Sequence, residues 1–402
     1  MNAIADVVVI GGGIVGSAVA GELARLGAAV TLVERGPIAA GASGRNHGLL
    51  FRPEDPVLDP LFRASLARYR ELATTAELDL GLDAAPVGLL IVVADEAGWA
   101  AGEREAASAA RGGMLVERLD AAGLRAEEPA LGEGLQGALL IDDGVRVDPA
   151  ALTLAVAAEA RRAGAEVLTH TEVKQVLVSG SRVRGVATDE GVIAAPAVVD
   201  AAGPWAAKLA RSASADLPIG GIRGWILLTA ARPGLMRHVV ESAGWHLAAG
   251  DPGPRLPSLA QLAAGHPARR DVGTLVQQNR SGHVLLGGSR AASLTEEPEG
   301  PEVAAEIARG AVGLVPALAD APVLATWSGV RPTSPDGRPL IGPVPGLDGL
   351  FAAGGHGGQG VALAAGSGLL GAELVLGLEP SFDPRPFDPA RFPPGGAAIG
   401  DR

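Results

Sequence analysis

The sequence contains no cysteine, which removes disulfide frameworks, thiol nucleophiles and thiolate metal sites from consideration. It has one tyrosine, Tyr69, and aromatic residues make up only 3%. Lysine is almost absent too: Lys174 and Lys208 are the only ones, and the other basic residues are arginine. The net charge is -12 and no basic cluster stands out, so a nucleic-acid partner is not expected. No basic segment precedes the first apolar run, and Asp6 interrupts it, so no signal peptide is expected. The longest membrane-like stretch, Val361 to Leu378, carries Glu373 and is diluted by Gly366, Gly368, Gly371 and Gly377. It also lacks a basic flank, and a buried helix explains it better than a span. The expected location is cytoplasmic, with peripheral attachment at the inner membrane face as an alternative.

Glycine, by contrast, is abundant at 58 residues, and it clusters in two loops near opposite ends. Gly11-Gly12-Gly13-Ile14-Val15-Gly16 follows the apolar run Val7-Val8-Val9-Ile10. Gly11, Gly13 and Gly16 fit GxGxxG spacing: a tight turn, close backbone approach to a pyrophosphate, and close helix–sheet packing. The helix that follows would offer free N–H groups and a positive dipole end to phosphates. Glu34 closes the next strand, where an acid binds ribose hydroxyls; a plain strand–helix turn with Glu34 exposed is the competing reading. Arg35 beside it raises NADP, but Glu34 would repel a 2′-phosphate. The second loop, Gly354-Gly355-His356-Gly357-Gly358-Gln359-Gly360, opens the apolar run from Val361. Two such loops, separated by most of the chain, suit a dinucleotide long enough to need both, and FAD is the expected cofactor.

A chain of 402 residues favours two domains over one. Residues 6–34 read as strand, turn, helix and strand, with Ile14, Ala18, Leu23 and Leu26 as the apolar helix stripe. Asp148 and Pro149 read as N-cap and first helical residue, with Gly164 closing the helix. Val173 to Val186, broken at Ser179-Gly180-Ser181, reads as a hairpin. Val198 to Gly203 reads as another buried strand. The expected fold is α/β: a Rossmann-like FAD-binding domain (1–84, 146–215 and 323–402) interleaved with an α+β substrate domain on a largely antiparallel sheet (85–145 and 216–322). The Pro-rich tail from Glu379 reads as an irregular cover.

Four blocks carry a family resemblance. They are Trp327 to Pro343, Phe351 to Gly357, Gly41-Ala42-Ser43-Gly44-Arg45-Asn46-His47-Gly48, and Val199-Asp200-Ala201-Ala202-Gly203-Pro204-Trp205. Together they resemble the D-amino acid oxidase superfamily of flavoproteins, in its glycine oxidase, sarcosine oxidase and D-amino acid dehydrogenase branch. The resemblance is weak between 216 and 280. It implies flavin-nucleotide contacts at Gly11, Gly13, Ile14, Val15, Gly16, Glu34 and Arg35. It implies further contacts at Ala42, Ser43, Arg45, Asn46, His47 and Gly48, at Val173 near the adenine, and at Ala202, Gly203 and Trp205. The last contacts implied are Arg331, Gly355, His356, Gly357, Gly358, Gln359 and Gly360. A helix N-terminus there would stabilise negative charge on the reduced ring. His356 is read as a loop residue satisfied by backbone rather than a catalytic group.

By the same resemblance Arg331 binds the substrate carboxylate, for which a planar guanidinium is suited; the competing role is holding the Ser334-Pro335-Asp336 turn. Arg52 and His47 complete the catalytic candidates, with Arg223, Arg290 and His283 as weaker ones. Substrate shape is assigned to the region around Trp225, Trp245 and His246. There are departures. No active-site tyrosine is expected, a thioether flavin link is impossible, and His47 is not where histidyl-flavin relatives attach theirs, so FAD is expected to be noncovalent. Leu285 stands where sarcosine oxidases place an oxygen-reactive lysine, which tilts the reading toward a dehydrogenase. The reaction implied is hydride transfer from the nitrogen-bearing carbon of a small amino acid (a D-amino acid, glycine or an N-alkyl glycine) to flavin N5, giving an imine that water hydrolyses to an oxo acid. Placement matters more than a strong base in such a step. Oxygen, a quinone or another electron carrier would take the electrons, in a homo- or hetero-oligomer or alone. The alternatives are the flavin subunit of a multi-subunit amino-acid dehydrogenase and, more remotely, an NAD-dependent enzyme. No metal site is expected.

Overall fold

The computed structural model describes residues 5–244, 270–294 and 301–392. Its first sheet has six strands in the order Leu340–Pro343, Leu350–Gly354, Ala197–Asp200, Val7–Ile10, Val30–Val33, Glu166–Leu168. Every pairing is parallel except that of the edge strand Leu340–Pro343. The register sets Val7 opposite both Val30 and Ala197. Strand alternation sends Val7 and Val9 into one layer with Leu23 and Ala160, and Val8 and Ile10 into another with Val176, Val183 and Leu209. A central strand covered on both faces must be apolar throughout, which is why Val7–Ile10 alternates nowhere.

One layer is helical: Ile14–Arg25, Pro149–Arg162 and Gly360–Leu376. The Asp148 carboxylate accepts from Ala150 and Ala151 N–H at 3.0 and 2.9 Å, the cap its sequence predicts. The C-terminal helix is buried on two sides, and its glycines are there for contact. A Cβ at Gly366 would lie 2.5 Å from the Leu61 carbonyl oxygen, and one at Gly368 would lie 2.7 Å from Ala18 Cβ. Tyr69, on the neighbouring helix Asp59–Thr75, is fully buried and donates to the Val361 carbonyl at 2.7 Å. The lone tyrosine is thus a core residue. Among the described residues no helix is long and apolar enough to cross a membrane.

The opposite layer is the sheet Val173–Ser179, Arg182–Thr188 and Gly191–Ala194. Its first two strands form the expected hairpin; the third was not read from sequence. The second large sheet has eight strands in the order Val323–Thr333, Gly220–Thr229, Val284–Ala292, Arg270–Gln278, Val239–Ser242, Leu89–Val93, Gly137–Ile141, Val116–Asp120. All pairs are antiparallel except Val239–Ser242 with Leu89–Val93. The helix Pro301–Leu314 covers one face.

Three sequence readings need correction. Leu26 is not part of the buried stripe but is 46% exposed, because the helix ends at Arg25. The strand before Gly203 stops at Asp200, and a 3₁₀ turn follows from Gly203. The chain stays in the eight-stranded sheet through Thr333 instead of leaving it at 323, since Val323–Thr333 pairs along the whole of Gly220–Thr229. In the tail, Phe387 is buried within short 3₁₀ turns.

Candidate active site

The parallel strands end at a cavity of about 550 Å³. Its floor is the first glycine loop. Gly11 has φ +107°, and a Cβ there would sit 2.5 Å from the Ala201 carbonyl oxygen; one at Gly16 would sit 2.0 Å from that of Gly11. No other residue fits either place. The helix cap, Gly13, contributes no side-chain hydrogen bond, and Ile14 N–H donates to Ser43 Oγ at 3.0 Å. The positive end of the helix therefore faces the cavity. Glu34 reaches the same space, its carboxylate fixed by the Gly12 and Gly36 N–H groups at 2.7 and 2.8 Å.

Further walls come from distant segments. The Arg35 guanidinium stacks 3.6 Å over the Trp205 ring, and both residues line the cavity with Ala202 and Gly203. Ala42, Ser43, Arg45 and Asn46 form another side, and Val173 a third. Asn46 locks its own loop by donating to the Ala42 and Ser43 carbonyls and accepting from Gly48 N–H. Arg45 donates to the Ser328 carbonyl at 3.2 Å, tying this loop to the eight-stranded sheet. At the far end stand Arg331, His356, Gly357, Gly358 and Gly360. A Cβ at Gly41, Gly203, Gly357 or Gly358 would meet no protein atom within 4 Å. These walls are kept bare on the cavity side, as a closely fitting ligand requires.

A second cavity of about 180 Å³ adjoins the first and shares Ala42, Arg45, Asn46, Arg331, Gly357 and Gly358 with it. His47, Arg52, Gln359 and Arg290 line only this second space. Arg331 stands on the shared wall with its guanidinium against Gly224, where a Cβ would be 2.5 Å from Nη1. Nη1 is buried without a hydrogen-bond partner. Burial, then the positive charge of Arg290, brings its pKa down to about 10. His47 is pushed down to about 3, by burial first and the Arg331 charge second, and is a neutral imidazole. It packs edge-on to Gly287, and its Nδ1 has no partner. Arg52 lies 3.6 Å from Asp59 and donates to the Gly113 carbonyl at 3.5 Å.

The turn at Ser334-Pro335-Asp336 is held by Arg391, which grips the Asp336 carboxylate at 2.8 and 3.0 Å, and by Ser334 Oγ donating to the Arg338 carbonyl. Arg331 takes no part in those bonds. His356 is satisfied through Ser367 Oγ at 3.0 Å rather than through backbone alone, and burial holds it neutral at about 4. Gly48 and Gly355 line neither cavity. Both are turn formers, with φ +69° and +77°; a Cβ on Gly48 would meet the Val147 carbonyl at 2.0 Å. Gln359 belongs to the second cavity and not the first. Arg223 and Leu285 line neither, and His283 bonds to the Thr229 carbonyl. Trp225 packs into the core beneath the helix Pro301–Leu314, on the sheet face away from the cavity. Trp245 and His246 lie outside the described residues. Sequence reading missed Thr171, Lys174, Lys208 and Leu209, all on the first cavity. The rarity of lysine was the one available signal, since both lysines are there.

A cavity running from the first glycine loop to the last, with a small chamber against its far end, defines a dinucleotide-dependent oxidoreductase. Residues 6–374 match the DAO family, FAD dependent oxidoreductase. The chain belongs to that family, and FAD is its cofactor. It is 33% identical over 394 residues to a glycine oxidase of Pseudomonas aeruginosa, covering 96% of this chain and 98% of that one. It is 31% identical to a hydrogen cyanide synthase subunit HcnC from the same species, over 82% of this chain and 72% of the other. The crystal structure of glycine oxidase from Geobacillus kaustophilus superposes with a TM-score of 0.79 at 27% identity, covering 97% of this chain and all of that one. The bare glycine walls, the fixed Glu34 carboxylate and the open helix N-terminus suit FAD, whose pyrophosphate and ribose need those groups.

Proposed function

We propose that this chain oxidises the C–N bond of a small amino acid, with the oxo acid as final product. The observation that carries the reading is the buried, unpartnered Nη1 of Arg331 on the wall between the two cavities. A buried guanidinium without an anion is costly, and a substrate carboxylate is the partner it lacks. Fixed there, the substrate's α-carbon faces the end of the larger cavity where Gly357 and Gly358 leave room for the cofactor ring. FAD, when bound, supplies the hydride acceptor. The chain's own contribution is orientation: Arg331 anchors, and Gly224 leaves space for the guanidinium. Burial lowers the pKa of His47 to about 3 and of His356 to about 4, which leaves both neutral and too weakly basic to hold an amine proton, so that proton leaves to solvent. In this reading the six-stranded sheet's unit grips the dinucleotide and the eight-stranded sheet roofs the substrate.

The glycine oxidase relatives support amine oxidation. The match to a hydrogen cyanide synthase subunit supports a second reading, a flavin-bearing subunit that passes electrons to a partner. Anaerobic mixing of the FAD-loaded protein with D-, L- and N-methyl amino acids tests the first: bleaching of the oxidised flavin band is expected. If no amino acid bleaches it, the reading fails. Bleaching that neither oxygen nor artificial acceptors reverse would favour the second.

A further inference from the structure

Arg331 accounts for only one end of the smaller cavity. Ile222 sits beside it, paired with Arg331 across the sheet, and the rest of the wall includes Leu49, Phe51, Met114, Ile141 and Leu275. Leu275 and Ile141 belong to a buried apolar cluster, and Leu49, Phe51 and Met114 pack against it from the cavity side. A water needs roughly 10–15 Å³ of such space, so about 180 Å³ leaves room beyond the few heavy atoms of glycine on the side away from Gly357 and Gly358, where the cofactor ring is seated. An apolar chamber of this size gains little from water and much from an apolar group that fills it. Charged residues also line it: Arg52 faces Asp59, Arg45, Glu54 and Arg290 each have partners of their own, and Arg331 has the carboxylate to hold.

We propose that the substrate is an amino acid carrying an apolar substituent of several carbons, and that the wall around Phe51, Met114 and Leu275 selects it over glycine. This rests on the carboxylate role of Arg331 proposed above. With the carboxylate at Arg331, the substituent extends away from the shared wall into the apolar end. Each methylene that leaves water there strengthens binding about fourfold until the chamber is full. Met114 and Phe51 are half-buried, so changing them alters the chamber with less risk to the core than changing Leu275.

The test separates chamber from chemistry. Unreactive carboxylates (acetate, propanoate, butanoate and 4-methylpentanoate) are titrated into the FAD-loaded protein at fixed ionic strength, and binding is read from the perturbed flavin spectrum. Affinity is expected to rise several-fold per added carbon, and Met114→Gln, which makes the wall polar without adding charge, should flatten that rise. Phe51→Ala is the second variant and should flatten the same series. A flat series in the wild type, or a series that neither variant changes, overturns the proposal. Anaerobic bleaching completes it: glycine reacting at least as fast as alanine, norvaline or leucine overturns the selectivity yet leaves amine oxidation intact. Failure of every amino acid would overturn the amine-oxidising reading instead.

Discussion

Replacing Arg331 by methionine should act in opposite directions on stability and on ligand binding. The guanidinium is buried, Nη1 has no partner, and burial with the Arg290 charge lowers its pKa from 12.5 to about 10. That displacement corresponds to about 3 kcal/mol of electrostatic cost in the folded state. The sign follows from protons bound. The unfolded chain holds this proton more tightly, so the full cost applies at neutral pH and is relieved only as pH rises above about 10. Methionine keeps much of the stem's volume and removes the charge. The variant without a carboxylate ligand should therefore be as stable as wild type or melt a few °C higher. Carboxylate binding should weaken, because loss of one partner from a buried charge pair costs about 2–5 kcal/mol, or roughly 30- to 4000-fold. Differential scanning fluorimetry and flavin-perturbation titration with acetate measure the two effects. Arg391→Met is the control: it breaks the clamp on Asp336 and should lower stability without changing acetate affinity. An Arg331 variant that melts well below wild type and still binds acetate normally would refute the assignment.

Three other outcomes follow from the same geometry. Gly16→Ala places a methyl 2.0 Å from the Gly11 carbonyl oxygen; despite alanine's helix propensity it should cost about 1–3 kcal/mol and leave the purified protein depleted of FAD, as absorbance ratios would reveal. Gly358→Val fills open space that no protein atom occupies, so melting without FAD should change little while FAD affinity, measured by fluorescence quenching, falls at least tenfold. Asp200 is fully buried with Oδ2 unpartnered, and burial raises its pKa from 3.8 to about 7. Its neutral form favours folding below pH 3.8, and that advantage is lost as pH rises to about 7. Asp200→Asn should remove this slope from chemical-denaturation curves measured across that window.

Much of the nucleotide-binding half is legible in the sequence because its signals are local. Gly11, Gly13 and Gly16 announce a turn, Asp148 with Pro149 announces a cap, and Ser179-Gly180-Ser181 announces a hairpin. What was illegible depends on contacts between distant segments. Leu26 fits a helical stripe by spacing, yet lies beyond the helix. Strand alternation separates Gly224 from Trp225 but does not say which face the helix Pro301–Leu314 covers, and Trp225 proves to be on the covered one. Arg331 stands inside the Trp327–Pro343 block, whereas the arginine that clamps Asp336 lies 55 residues beyond that aspartate and carries no local mark. The chamber wall draws Phe51, Met114 and Ile222 from three separate stretches, so only the fold assembles it. The glycines of one loop also divide by role. Gly357 and Gly358 keep a wall bare, while Gly355 makes a turn behind it.

The reaction proposed for this flavoprotein breaks the C–N bond of an amino acid held by Arg331. A single anaerobic turnover tests it most directly, with oxo acid and ammonia quantified against the flavin reduced. With a primary amino acid, one oxo acid and one ammonia are expected for each flavin bleached, with bleaching greatly slowed in Arg331→Met. A flavin that stays oxidised with every amino acid, or one that bleaches without releasing ammonia, would contradict it.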